Sequence, residues 1–162
     1  MLTFNLDEVD EMVRFDYSVT TSADRELAWK VFTNIFLWRR FSDMYGDIEW
    51  RSGAPWEIGS RLKIELIGPL QATVDHVITA FSRPKCIAWI DHALGNTMEQ
   101  WVQFEPRESG GTTIRTWAEL TGSTKMVAGN PVKDFLEKFM VGWYDRFCAE
   151  CDLMSRQELQ LR

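Results

Sequence analysis

His76 and His92 are the only two histidines in this 162-residue chain, and both fall in one segment, HVITAFSRPKCIAWIDH. Imidazole is the side chain best suited to acid, base and hydrogen-bonding roles near neutral pH. Pro84 lies midway between them, in a turn signal. A hairpin folded there sets the two rings directly opposite each other, or one diagonal step apart across an antiparallel ladder. Opposite Cβ atoms are about 4.5–5.5 Å apart and diagonal ones about 7–8 Å apart. At that separation two imidazoles can share one proton and titrate as a pair. They can anchor a ligand carbonyl or hydroxyl, act as acid and base on an enolisable substrate, or satisfy each other as a buried structural pair.

Other reactive groupings are sparse. Cys148 and Cys151 form a C-x-x-C, but within a long amphipathic helix rather than at a helix N-terminus, where the dipole would favour a thiolate. With Cys86 the cysteine count is odd, and the spacing is not that of a disulfide framework. These thiols read as helix-packing residues. A catalytic zinc site takes three protein ligands. No inward carboxylate is expected beside the histidines, and Cys86 lies about 20 Å along the strand from His92. Neither a metal nor a cofactor is implied: Gly-rich phosphate loops, G-x-S-x-G and a buried acid pair are all missing.

The formal charge of -6 argues against nucleic acid or anionic lipid as the main partner, since both would repel the protein at long range. No apolar run approaches the roughly 18 residues of a membrane span. The start, MLTFNLDEVDEM, is acidic and unlike a signal peptide, so the expected location is cytoplasmic, without membrane insertion. Residues 1–13 read as an acidic arm and 14–162 as a single domain. Eight Trp, ten Phe and three Tyr suit either a thick core or a cavity wall.

Residues 14–21 (RFDYSVTT) alternate as a half-buried strand. A helix follows, capped by Ser22, with Leu27, Ala28, Val31, Phe32 and Ile35 on one stripe. LWRRFSDMY then reads as a second short helix or turn. From 47 to 122 the period is two, in DIEWRS, SRLKIEL, LQATVDHVITAF, KCIAWIDH, NTMEQWVQFE and TTIRTWAEL. The connections are too short for parallel crossovers, so these six form an antiparallel meander. Asn130-Pro131 opens a final helix, with a stripe through Val132, Phe135, Leu136, Phe139, Met140, Trp143, Phe147, Cys151 and Met154. About 25 residues make it roughly 37 Å long, and only the sheet offers a surface to match.

Side chains alternate across a strand. Even positions of the six later strands are apolar and odd positions of the first strand are apolar, with no charge inside. The inner face then carries Tyr17, His76, His92, Gln100 and Thr116 as its few polar groups, with Met98 and Cys86. Small residues such as Ala72 and Ala118 either accommodate large rings from the helix or leave a hollow. A mostly apolar pocket with a few convergent polar groups is the usual form of a small-molecule site. The candidate ligand-binding set is therefore Tyr17, Trp50, His76, His92, Met98, Gln100, Thr116, Phe139 and Trp143, with His76 and His92 as the catalytic candidates. On the outer face, a turn at Ser109–Gly110 pairs Trp101 with Trp117, either as a sheet-stabilising pair or as the centre of a dimer or partner interface.

The order strand, helical pair, six-strand meander, long helix resembles the helix-grip fold of the START-like superfamily, which includes the polyketide cyclase/dehydrase group. The resemblance is carried by YSVTTSADRELAWKVFTNIFLWRRF, WEIGSRLKIEL and WVQFEPRESGGTTIRTWAEL, and spans about residues 14–155. These are markers of fold, and no catalytic motif is shared across the superfamily. The resemblance implies an α+β fold: a seven-stranded curved antiparallel sheet around the last helix, enclosing an apolar cavity. It implies a lipid, polyketide-like or isoprenoid-like ligand, an aromatase/cyclase-type enzyme using His76 and His92, or a module that docks a partner protein. Adjacent Arg39 and Arg40 depart from the apolar or Pro-containing run of many relatives and fall where the cavity entrance is expected.

Overall fold

In the computed structural model, residues 12–122 and 130–161 are described. Most of the acidic arm lies outside them, as do the side chains of residues 130–133. The strands are β1 (Val13–Thr21), β2 (Tyr45–Ser52), β3 (Arg61–Ile67), β4 (Gln71–Ser82), β5 (Cys86–Ala93), β6 (Asn96–Pro106) and β7 (Thr112–Thr121). The helices are α1 (Arg25–Thr33), a 3-10 helix over Ile35–Arg40, and α2 (Asn130–Gln160). All seven strands form one antiparallel sheet in the order β1-β7-β6-β5-β4-β3-β2. This is the expected helix-grip arrangement, with the first strand returning to pair the last. No described helix is long and apolar enough to cross a membrane.

The start of α1 differs from expectation. Asp24, not Ser22, caps it, accepting a 2.8 Å hydrogen bond from the Leu27 amide. Ser22 is engaged elsewhere: its amide and hydroxyl both donate to Asp152 of α2, at 2.7 and 2.9 Å, and Thr21 donates to the same oxygen at 2.6 Å. One carboxylate thus fastens the long helix to the β1–α1 junction. The β6–β7 turn closes under the same junction. Gly111 sits at φ 80°, and a Cβ there would meet the Thr21 carbonyl oxygen at 2.3 Å, so only glycine fits this approach.

Half of the interior is filled with rings. Phe32 of α1 is its hub, meeting Trp38, Phe104, Trp143 and Phe147 edge-on at centroid distances of 5.9, 5.6, 5.5 and 5.7 Å. Edge-to-face contacts at such distances are the favoured aromatic geometry. Trp29 and Phe81 extend the cluster towards the β4–β5 turn. The other half, beneath the β3–β4 and β5–β6 hairpins, is open. Filled core and hollow therefore coexist, one at each end of the sheet.

The even-position rule holds on β3 and β6 and on β4 up to Ile78, then fails. Ser82, Phe81 and Ala80 pair with Cys86, Ile87 and Ala88, but Ile78 pairs with Trp89, so β4 carries one extra residue, Thr79. Such a bulge inverts the facing of one strand relative to the other. Inward positions on β5 are consequently odd, with Ile87 and Trp89 buried, and His92 turns outward into solvent. The expected absence of inward charge also fails, because Asp91 takes the inner face opposite His76. Irregular pairing in β2 likewise turns Tyr45 inward, against Trp38 and Phe139.

Partial burial raises the Asp152 carboxyl, but the hydrogen bonds from Thr21 and Ser22, with Arg156 nearby, prevail and hold it below its ordinary 3.8. A depressed carboxylate stabilises the fold above its unfolded pKa and loses that contribution as pH falls through the folded value. Asp152→Asn is expected to cost about 1–2 kcal/mol at pH 7. In urea unfolding, the gap to wild type closes below about pH 4; a gap that persists at low pH counts against the helix-fastening role.

Candidate functional site

The hollow has two connected parts between the inner face of the sheet and α2. A chamber of about 80 Å³ lies at the inner end and a larger one of about 400 Å³ opens towards the hairpin tips. Tyr45, Ile64, Asp91, Met98, Leu136 and Phe139 border both. Leu66, Ala72, Val74, Leu120 and Phe135 line the outer chamber with almost pure hydrocarbon, and Ala72 and Ala93 make room where larger residues would fill it. A total near these values falls within the range of about 300–1,000 Å³ typical of small-molecule pockets.

Polarity is concentrated at the inner end. His76, whose side chain is 2% exposed, places Nδ1 2.7 Å from Asp91 Oδ1. The approach is close enough for an ion pair but off the line of a directional hydrogen bond. His76 Nε2 has no hydrogen-bond partner among the described residues, Nδ1 and Asp91 Oδ1 meet only each other, and Trp143 Nε1 makes no directional hydrogen bond. The other Asp91 oxygen accepts from Trp89 Nε1 at 3.0 Å. The Trp89 ring in turn stacks on His76 at 4.8 Å, and Trp38 meets the imidazole edge-on at 6.0 Å. Two indoles thus hold the imidazole and one of them also holds its acid partner.

Two phenols complete the inner chamber. Burial above all, then the Asp91 charge and Tyr144, pushes the Tyr45 hydroxyl far up, against the neighbouring Trp143 indole N–H. Burial also pushes Tyr144 up, against the Gln100 amide that donates to it and the Thr116 hydroxyl beside it, so both remain neutral hydroxyls at physiological pH. Gln100 Nε2 donates to Tyr144 Oη and Thr116 Oγ1, each at 3.0 Å, and Thr116 donates to the Trp101 carbonyl at 2.9 Å.

Five of the nine candidate residues line this space: His76, Met98, Gln100, Phe139 and Trp143. Thr116 is buried behind Gln100 and orients it. Tyr17 donates to Asp145 on α2, a bond that, with burial, pushes its phenol up to about 12; it belongs to the β1–α2 seam. Trp50 packs on Trp56 at 5.3 Å, away from the cavity lining. His92 lies on the outer face opposite Asp75, its Nδ1 3.2 Å from Thr97 Oγ1. The imidazole pair does not form, and proton sharing between His76 and His92 falls with it. Asp91, Tyr45, Trp38, Trp89 and Tyr144 escaped sequence reasoning. The one available signal was the unbroken apolar run Ile87–Ala88–Trp89–Ile90, whose phase is ambiguous.

Arg39 and Arg40 pair with Asp47 and Glu150, at 3.0 and 2.6 Å, and neither lines the cavity. Trp101 and Trp117 face each other across the ladder as expected, stacked at 5.9 Å with 5° between planes, and the Arg14 guanidinium lies 5.6 Å from the Trp117 ring. No metal-binding cluster occurs among the described residues. Burial pushes the Cys148 thiol up to about 12 and Cys151 up as well, the opposite of a reactive C-x-x-C. With Ellman's reagent, half-buried Cys86 is expected to react in the native protein, and Cys148 and Cys151 only on unfolding; rapid labelling of two or three thiols would contradict this packing.

The sequence matches the family described as polyketide cyclase / dehydrase and lipid transport over residues 12–151. No curated protein matches it. Among solved structures, Ara h 8.0201 is similar at a TM-score of 0.73 with 14% identity, covering 87% of this chain and 98% of its own. The hypothetical protein jhp0584 of Helicobacter pylori is similar at 0.70 with 16% identity, covering 93% and 99%. A norcoclaurine synthase point mutant of Thalictrum flavum, in complex with a transition-state analogue, is similar at 0.65 with 11% identity, covering 88% and 96%. At these identities the likeness is one of fold.

Proposed function

Because the chain belongs to the polyketide cyclase / dehydrase and lipid transport family, we propose that it binds an apolar or aromatic small molecule between its sheet and α2. The observation that carries this reading is the hydrocarbon-lined chamber of about 400 Å³ leading to a small polar end. A hollow of this size forgoes packing that a filled core would gain, since large residual cavities destabilise a fold. Occupancy by a ligand restores those contacts. The fold neighbour from Thalictrum flavum is in complex with a transition-state analogue, which is consistent with this use of the architecture. The hydrocarbon lining favours a neutral body over a charged one, because burying an unpaired charge there is costly.

The neutral fluorophore N-phenyl-1-naphthylamine tests the proposal. The expected result is saturable one-to-one binding with enhanced emission. Ala72→Trp, which fills the outer chamber, weakens it by about tenfold or more while the unfolding midpoint stays near wild type, and Trp101→Ala on the outer face leaves binding unchanged. Absence of saturable binding, or full binding by Ala72→Trp, would sink the reading.

A further inference from the structure

Resting on the cavity-binding reading, we infer that the inner chamber recognises a hydroxyl group, a phenol or an alcohol, at the leading end of a neutral ligand. Buried polar atoms of the chamber lining are left short of directional hydrogen bonds: His76 Nε2 has no partner, Trp143 Nε1 has only the Tyr45 hydroxyl nearby, and His76 Nδ1 and Asp91 Oδ1 meet only each other. Native interiors rarely leave such atoms unpaired, and each one left so invites a missing partner. The chamber of about 80 Å³ has room for a group of a few heavy atoms, against about 30 Å³ per water in the liquid.

The mixture of donors and acceptors decides what fits. The carboxylate beside Nδ1 favours the tautomer with its proton on Nδ1, leaving Nε2 as an acceptor. Trp143 offers only a donor, and Tyr144, accepting from Gln100, keeps its own proton to donate. A hydroxyl supplies both halves: it donates to His76 Nε2 or Asp91 and accepts from Trp143 or Tyr144. A ketone leaves the acceptors unserved, and an ammonium leaves the donors unserved. A ligand carboxylate sets a second negative charge beside Asp91, where little solvent screens it. Trp89 acts here as a positioning residue, since it holds Asp91 by its indole N–H and stacks on the imidazole.

Four probes of one shape separate these cases: 2-naphthol, 2-methylnaphthalene, 2-acetylnaphthalene and 2-naphthoate, titrated calorimetrically. The expected order puts 2-naphthol tightest, about five- to a hundredfold over 2-methylnaphthalene, with 2-naphthoate weakest. His76→Phe is expected to erase the preference for 2-naphthol while retaining 2-methylnaphthalene. Should that variant not fold, Trp143→Phe, which removes the indole N–H and trims the ring but keeps an aromatic side chain, reduces the same ratio. Equal affinities for 2-naphthol and 2-methylnaphthalene, a tighter 2-acetylnaphthalene or 2-naphthoate, or a ratio unmoved by both substitutions overturns the assignment. If N-phenyl-1-naphthylamine binds and no naphthalene does, the hydroxyl site fails and the cavity reading stands. If no probe binds, both fail.

Discussion

The site depends on one extra residue in one strand. Thr79 stands unpaired where β4 passes from the Ala80–Ala88 pair to the Ile78–Trp89 pair, and the Trp89–Asp91 side of the polar end follows from that step. Without it, β5 would keep Ala88, Ile90 and His92 inward, and Asp91 would join the wet outer face. With it, Trp89 and Asp91 swing inward together, two positions apart on one face. They arrive where Trp89 can stack on His76 and donate to Asp91 at once. A bulge re-aims side chains at a cost of one ladder pairing, and here it converts two distant imidazoles into a histidine–aspartate contact.

The second constraint is the unequal filling of the interior. α1 delivers Trp29 and Phe32 to one end of the sheet, where Trp38, Phe41, Trp56, Phe81, Phe104 and Phe147 close around them. That end supplies the dense, edge-to-face packing of an ordinary core. At the other end α2 crosses the sheet on Leu136, Phe139 and Met140, facing residues as small as Ala72, Ala93 and Ala118. Asp152 ties the far part of α2 to Ser22 and Thr21, so the helix is anchored at the packed end. The chain thus keeps its dense packing and its hollow in separate halves.

Much of this was legible in the residues. Period-two patterning located all six later strands to within about two residues, and the Trp101–Trp117 pairing followed from the turn at Ser109–Gly110. The long helix and its stripe were likewise readable, because amphipathic periodicity over many residues averages out local exceptions. The binding site was less so. His76, Met98, Gln100, Phe139 and Trp143 came through because their strands and helix keep a regular phase. His92 and Asp91 exchanged places because parity arguments carry across a turn only when no residue is inserted, and the insertion at Thr79 leaves no composition signal. Tyr17 and Trp50 face inward as read, but neighbouring groups (Asp145 and Trp56) claim them before the cavity does. Ser22 lost its capping role for a similar reason: a carboxylate from 130 residues away in sequence outweighed the local preference.

The most direct test of the account is the proximity of the two histidine rings in solution, read by NMR cross-relaxation. With only two imidazoles in the chain, the single substitution His92→Ala assigns both. The bulged register predicts cross-peaks from the His76 ring to the Trp89 and Trp38 indoles and none to His92. Cross-peaks between the His76 and His92 rings would restore the unbulged register and remove Asp91 from the cavity, contradicting the site as described.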